Sequence, residues 1–543
     1  MSERHEPPRS TRRDFLQLSL LGGSAALASG WLAGCQPAQP NSPAAPQPAA
    51  PAQPAPVAPR SQLDEWVVAL SEDITSIDPL FDAGGAIRFN VIYHTNEPLV
   101  GYEGPTFQPV PRLAESWSYL NDNTLELKLR RNVKFHNGDD FTADDVLYTY
   151  QIHKSDPRLG SGFLFDPVEA LEKVDSHTVH FVTKGPVATL LPNLAQIFLI
   201  APLGRETIGA EAFGRRPIGT GMYKLAQDWT RDQPVRLVAN ETYWGGPPSL
   251  PRLQFRFIRE PSTRVAELQN GTVQVIENVP LPQVEMLKRG ANTDVVTMKA
   301  ARIIMNSINL SREPFTDLRV RQAMNLAVDR EVIARNVLQG FGRPHVGLFA
   351  EGWMGHRTDL QPYAHDPQRA RQLLAEAGLP NGFEFEWQMT DGAFLKDREI
   401  AEAVAAQLQQ AGITARLRVT ERAAIFDSFY AGRYDLISTQ WPTTADPERY
   451  LQWLFIRTAG PAESKETEPI REMMDEARRI LDAEKRSQKY QELGKLAYER
   501  AMLLFIHVQD ELYGIDKRTG WMPSPIRAVA AHHWYTLHPS IKR

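Results

Sequence analysis

The sequence predicts an α/β protein with layered, mixed sheets. Three observations carry that reading: runs of alternating apolar and polar residues, helix-like runs with their own start and stop signals among them, and an unbroken composition from residue 61 onward. Leu125, Leu127 and Leu129 alternate with Glu126, Lys128 and Arg130, and Leu253, Phe255 and Phe257 alternate with Gln254 and Arg256, the period of half-buried strands. Asp366 is placed to cap, and Pro367 to open, a helix whose stripe Ala370, Leu373, Leu374 and Ala377 stops at Gly378. Ile400, Val404, Leu408 and Ala411 repeat the pattern before Gly412, and a long helix is expected from Val320 to Leu338, ending at Gly340. Asn137-Gly138 reads as a tight turn, and Thr142 as the cap of a helix entered through Asp144, Asp145 and Val146. From residue 61 there is no fixed-period repeat, low-complexity tract or second linker, so this part reads as one continuous unit of interleaved strands and helices.

The chain has 543 residues, enough for several domains or one large two-lobed one. Sixty Lys and Arg against sixty-five Asp and Glu leave a formal charge of −5, which gives no basic footprint for nucleic acid or an anionic membrane surface. The first sixty residues stand apart. Thr11-Arg12-Arg13-Asp14-Phe15-Leu16-Gln17 resembles the twin-arginine export motif, with Arg12 and Arg13 as its signal pair. The apolar stretch that follows, 15–33, is too interrupted by Gly and Ser to read as a membrane span. Leu32-Ala33-Gly34-Cys35 resembles a lipoprotein box: small residues admit the signal peptidase, and the Cys35 thiol is the nucleophile for lipidation. Residues 1–35 are therefore expected to be a twin-arginine lipoprotein signal peptide. Cys35 is the only cysteine, so the folded part is left without disulfides, zinc–thiolate sites or a cysteine nucleophile. Residues 36–60 are almost all Pro, Ala and Gln and read as an extended tether, at about 3.1 Å per residue. The expected location is the outer face of the cell membrane, in a periplasm or at a cell surface, with a lipid as the only anchor.

Catalytic signatures are missing: the chain has no Gly-x-Ser-x-Gly elbow, no phosphate loop ending in Gly-Lys-Ser/Thr and no His-Glu-x-x-His. Gly219-Thr220-Gly221 lacks the third glycine of a dinucleotide fingerprint and reads as a tight backbone turn. His532, His533 and His538 match no metal spacing. Asp139-Asp140 and Asp144-Asp145 are sequence neighbours whose side chains diverge on any regular element, so they read as caps and surface charges. No enzyme activity, metal or cofactor is expected.

A run of fragments carries a resemblance over most of the chain. Pro111-Arg112-Leu113-Ala114-Glu115-Ser116-Trp117, Leu129-Arg130-Arg131-Asn132-Val133-Lys134-Phe135-His136-Asn137-Gly138 and Phe141-Thr142-Ala143-Asp144-Asp145-Val146 are similar to segments of the oligopeptide, dipeptide and nickel class of extracellular solute-binding proteins, family 5. Pro217-Ile218-Gly219-Thr220-Gly221-Met222-Tyr223 resembles that family's Gly-Thr-Gly-Pro-Tyr turn, with Met222 where proline is usual. Asn240-Glu241-Thr242-Tyr243-Trp244-Gly245-Gly246-Pro247-Pro248 and Pro314-Phe315-Thr316-Asp317-Leu318-Arg319-Val320-Arg321-Gln322-Ala323-Met324-Asn325 follow in the same order. The resemblance implies a two-lobed periplasmic-binding-protein (Venus-flytrap) fold with mixed sheets and an extra subdomain in lobe I. It also implies capture of a peptide-like solute for an ABC permease and ATPase complex. By analogy lobe I covers 63–305 plus 508–543 and lobe II 306–507, with crossing strands near 303–308 and 503–508 and hinge closure on the ligand. A monomer is expected. The alternatives are a binder of a non-peptide solute such as an oligosaccharide, and a secreted hydrolase.

Peptide-binding members carry a Trp-x-x-Asp-x-x-Asp/Glu-Pro-like segment whose first carboxylate pairs with the peptide ammonium. Here the segment is Gln440-Trp441-Pro442-Thr443-Thr444-Ala445-Asp446-Pro447, one residue shorter, with Thr443 where the acidic anchor aligns. A hydroxyl suits a neutral or differently charged ligand better than a buried ammonium. Asp446 as a replacement anchor stays open. The resemblance places Trp441 as a stacking surface, Thr443 and Thr444 as hydrogen-bonding groups, and Phe81, Trp353 and Thr390 as further ligand-binding positions.

Overall fold

Where the sequence signals are local, the elements form as read. The structure, a computed structural model, describes residues 63–74, 76–80, 89–103, 108–156, 162–195, 205, 209–442 and 446–521. Residues 1–60, expected to be a signal peptide and tether, Phe81, Thr443, Thr444 and the histidines after residue 531 lie outside the described residues. Thr142 and Asp145 form a reciprocal capping box at the start of helix Ala143–Ser155. Asp366 Oδ1 accepts from Arg369 N at 2.8 Å at the start of helix Pro367–Glu376. The alternating leucines lie on strand Thr124–Leu129, all buried.

One longer reading changes. The expected helix from Val320 to Leu338 is broken into Leu318–Leu326, Arg330–Val332 and the wider π turn Ile333–Val337. Asp329 restarts it, accepting from Val332 N at 3.0 Å, while Arg330 turns inward and donates to the Asn325 and Val328 carbonyls at 2.9 Å each, satisfying groups that the break frees. At Gly219-Thr220-Gly221, read as a tight backbone turn, the two glycines allow close approach of another segment. A Cβ would lie 2.1 Å from the Thr95 carbonyl oxygen at Gly219 and 2.4 Å from that of His94 at Gly221, at the end of helix Phe89–Thr95.

Among the described residues twelve strands form one sheet. Its main path runs Ile413–Val419, Phe383–Met389, Leu436–Pro442, Thr293–Ile308, His507–Asp516, Val275–Glu277, Glu65–Leu70, Arg252–Phe257, Val235–Ala239 and Tyr223–Leu225. At one end Phe383–Met389 pairs in parallel with both Ile413–Val419 and Leu436–Pro442. At the other, Glu65–Leu70 pairs in parallel with both Arg252–Phe257 and Val275–Glu277. The two parallel groups are joined by the antiparallel strands Thr293–Ile308 and His507–Asp516, whose register shifts between Met298 and Arg302. A separate four-stranded antiparallel sheet, Ala114–Asn121, Thr124–Leu129, Thr178–Thr183 and Val168–Asp175, has its own core with Phe135, Phe141 and Phe165.

The cores divide at that shift. One is built from residues between Ile303 and Val508, including Trp387, Tyr450 and Tyr490. Two others draw Val295 and Met298 from the same long strand, and Leu512, Tyr513 and Ile515 from its neighbour. The fold is therefore two-lobed, with the pair of central strands passing from one lobe to the other. No helix among the described residues is long and apolar enough to cross a membrane.

Candidate functional site

The direction of the parallel strands sets where a ligand can sit. In open α/β sheets the space beyond the C-terminal ends of parallel strands is where loops converge and backbone groups are left to bind. Here Leu436–Pro442 ends with Pro442 opposite Arg302, and Val275–Glu277 ends with Glu277 opposite Tyr513. Both parallel groups thus point their C-terminal ends at the crossing strands, and the two sets of loops face each other there.

Charges at this junction are dense and mutually engaged. Arg302 Nε donates to Glu511 Oε1 at 2.8 Å, and Tyr513 OH donates to Glu511 Oε2 at 2.6 Å. Burial works against the Arg302 charge, but Glu511 outweighs it and holds the guanidinium above its ordinary pKa. Lys299 Nζ lies 2.8 Å from Asp510 Oδ2. Glu277 Oε1 accepts from both Ser71 N and Ser71 Oγ at 2.6 Å, and burial pushes its carboxyl pKa up. Two contacts tie segments of the different cores. Arg422 Nη1 reaches both carboxylate oxygens of Glu72 at 2.7 Å, and Ala188 N donates to the Arg478 carbonyl at 2.9 Å. Leu395 packs against both the Trp387 core and the core containing Ala69 and Leu512.

The residues anticipated from sequence occupy different surroundings. Trp441 is half-buried on the strand face that also carries Ile303 and Thr439, with ring centroids 5.2 Å from Trp453 and 5.8 Å from Tyr450. Trp353 is buried and meets Tyr450 edge-on at 5.6 Å, so the two tryptophans flank one tyrosine. Thr390 is buried just past strand Phe383–Met389, and its Oγ1 donates to Asp397 Oδ2 at 2.9 Å. Asp446 is 5% exposed and already engaged: Glu448 N donates to it at 2.9 Å, Tyr490 OH lies at 3.4 Å and Arg486 Nε at 3.3 Å. Glu448 pairs in turn with Arg478, whose Nε is 3.0 Å away. Sequence reasoning passed over Gln440, Gln509, His507 and Arg302. The signal was present in the alternation of the crossing strands, but it needs the pairing register to be read as a shared face.

Two lobes whose C-terminal strand ends meet across a pair of crossing strands define a cleft-type binding protein. The comparisons agree with that class. Residues 108–461 match the model of bacterial extracellular solute-binding proteins, family 5 Middle, and the chain belongs to this family. It is 28% identical over 471 residues to the dipeptide-binding protein of Escherichia coli strain K12, covering 80% of this chain and 87% of the relative. It is 32% identical over 303 residues to heme-binding protein A of Haemophilus influenzae, covering 51% and 55% respectively. Among solved structures, the ABC transporter-associated periplasmic binding protein DppA from Helicobacter pylori, in complex with peptide STSA, superposes with a TM-score of 0.74 at 23% identity, covering 83% of this chain and 94% of that one.

Proposed function

We propose that this protein is the solute receptor of an ABC importer, which encloses a peptide-like solute between its lobes and hands it to a permease and ATPase complex, acting as a monomer and leaving the solute chemically unchanged. The observation that carries the reading is the convergence of two sets of C-terminal strand ends on one crossing-strand junction. Lobe I is taken as 63–305 plus 508–543 and lobe II as 306–507. Trp441 contributes a stacking face, and Trp353, Thr390 and Asp446 hold the surrounding wall. Phe81, Thr443 and Thr444 enter on the sequence resemblance alone. Export through Arg12 and Arg13 and acylation at Cys35 put the receptor on a tether at the membrane.

Small-angle scattering and thermal melts with a tryptic peptide mixture, used with free termini and again after acetylation and amidation, test the capture. Compaction and a higher Tm are expected, and a ligand at a hundredfold its Kd stabilises by about 2.7 kcal/mol. No change with either form of the mixture counts against a peptide-like solute. Cys35→Ser is expected to release the folded protein from membranes, read by fractionation after a high-salt wash.

A further inference from the structure

We infer that the solute is held at the crossing strands through neutral hydrogen bonds, and that its class is a peptide-like molecule without ionised ends there: blocked at both termini, or cyclic. The inference rests on the reading of this cleft as a peptide-like solute site. It follows from which buried groups are already committed and which are not.

Among the described residues, the charged groups at the junction are engaged within the protein. Both oxygens of Glu511 are taken, by Arg302 and Tyr513. Asp510 is paired with Lys299, Asp446 with Arg486, and Glu448 with Arg478. Glu277 accepts twice from Ser71, and its burial favours the protonated form. An ammonium or carboxylate entering this junction loses its water and finds each nearby counter-charge engaged, a costly exchange.

Among the described residues, the buried side-chain atoms without a hydrogen bond include the Asp446 and Arg486 atoms of that ion pair, and otherwise belong to neutral groups. Gln440 Oε1 makes no hydrogen bond, and the Gln509 carboxamide and His507 imidazole are close enough to engage each other, with no other partner for Gln509 Oε1 or for either ring nitrogen. The register places them together: Gln440 stands opposite Ile304 and Gln509 opposite Arg302, while His507 lies two residues from Gln509 on the same strand. Residues directly opposite in an antiparallel pair, or two apart along a strand, share a face. His507 also lines a pocket with Ile304, Trp387, Met389 and Phe394, whose polar lining includes Asn306, Ser438 and Asp397, the last already accepting from Thr390 Oγ1 and the amides of Gly392 and Ala393. On the other face of the same strand end, Trp441 Nε1 is likewise unpartnered. Each peptide group brings one N–H donor and one C=O acceptor, and a carboxamide complements either, whichever way it is turned. A blocked backbone therefore satisfies this row without an uncompensated charge.

The test uses the full chain and an equimolar panel: tripeptides with free termini, the same tripeptides acetylated and amidated, and cyclic dipeptides. Native mass spectrometry reads which are retained, and calorimetry then compares the members of each pair. Blocked or cyclic members retained at least tenfold more tightly support the inference. Free peptides retained as well or better overturn it while leaving the peptide-like reading intact, and loss of that retention in Glu277→Gln would identify the ammonium anchor. Retention of no member overturns the peptide-like reading, and the inference falls with it. Gln509→Leu and Gln440→Leu are each expected to weaken the blocked peptides about tenfold. Gln440 is only half-buried, so its variant keeps the test alive if Gln509→Leu fails to fold; unchanged affinity in Gln440→Leu overturns the role of the row.

Discussion

Two ion pairs near the cleft make opposite uses of the same chemistry. Asp446 and Arg486 lie within one lobe, with side chains 5% and 8% exposed and their nearest atoms 3.3 Å apart. Glu72 and Arg422 join segments of different cores, 2.7 Å apart, with side chains 42% and 31% exposed. The buried pair cannot give up one partner without stranding the other in a dry environment, so it acts as structure. The wetter pair is shared with solvent and can break and re-form at small cost, which suits a contact between lobes in the proposed hinge motion. The more deeply a charge is paired here, the less free it is to meet a ligand.

The largest effect expected from breaking this contrast is at Asp446. Asp446→Asn should destabilise the protein by about 3–5 kcal/mol, the cost of leaving the buried Arg486 without its counter-ion. Urea unfolding with a fixed m-value would measure it. The same variant should lose less than about 1.5 kcal/mol of solute affinity, the scale of an ordinary hydrogen bond. A loss of a hundredfold or more with unchanged stability would instead make Asp446 a ligand anchor. Trp441→Ala should hurt affinity more than Asp446→Asn, because a stacking face disappears.

A neutral group sharpens the comparison, because it is destabilised by gaining a charge rather than by losing a partner. Burial pushes the His507 imidazole down to about 4, below the value of about 6.5 for an exposed histidine. Between these values the unfolded chain binds the proton and the folded one does not. The stabilisation is thus fully present above about pH 6.5 and is lost as pH falls toward 4. At about pH 5 the loss from this residue is about 2 kcal/mol. His507→Gln should narrow the gap between unfolding free energies at pH 7 and pH 5 by about that amount. An unaltered gap would show that the imidazole is solvated or already charged.

What the sequence made legible follows the range of the interactions. The Thr142 capping box spans three residues, and the Asp366 cap acts on the amide of Arg369, so each could be read directly. The helix expected from Val320 to Leu338 failed because Asp329 and Arg330 look like ordinary helix-surface residues until Arg330 is seen to turn toward Asn325 and Val328. The resemblance implied the two-lobed class of fold and singled out the Trp441 segment for the proposed site. It could not reveal that Asp446 is tied to Arg486, forty residues on, or that Arg302 meets Glu511 across a separation of 209 residues. The face shared by Gln440, Gln509 and His507 exists only through strand register, which no local pattern encodes.

The smallest effect belongs to the pair between lobes, and its size is the point. Glu72 and Arg422 are separated by 350 residues, so they meet only when the two cores approach as they do here. Glu72→Gln should change unfolding free energy by no more than about 1 kcal/mol, as exposed pairs generally do. Its effect should fall instead on the balance between open and closed lobes. Closure with bound solute loses one of its contacts, so affinity should drop a fewfold through faster release while the intrinsic site is untouched. Salt distinguishes this from a packing defect, because raising ionic strength screens an exposed pair and should shrink the difference between wild type and variant. Stopped-flow dissociation at low and high salt reads both quantities. A variant whose release rate matches wild type at low salt would mean that closure is held by Leu395 and the Ala188–Arg478 backbone contact, with the ion pair only bordering the cleft.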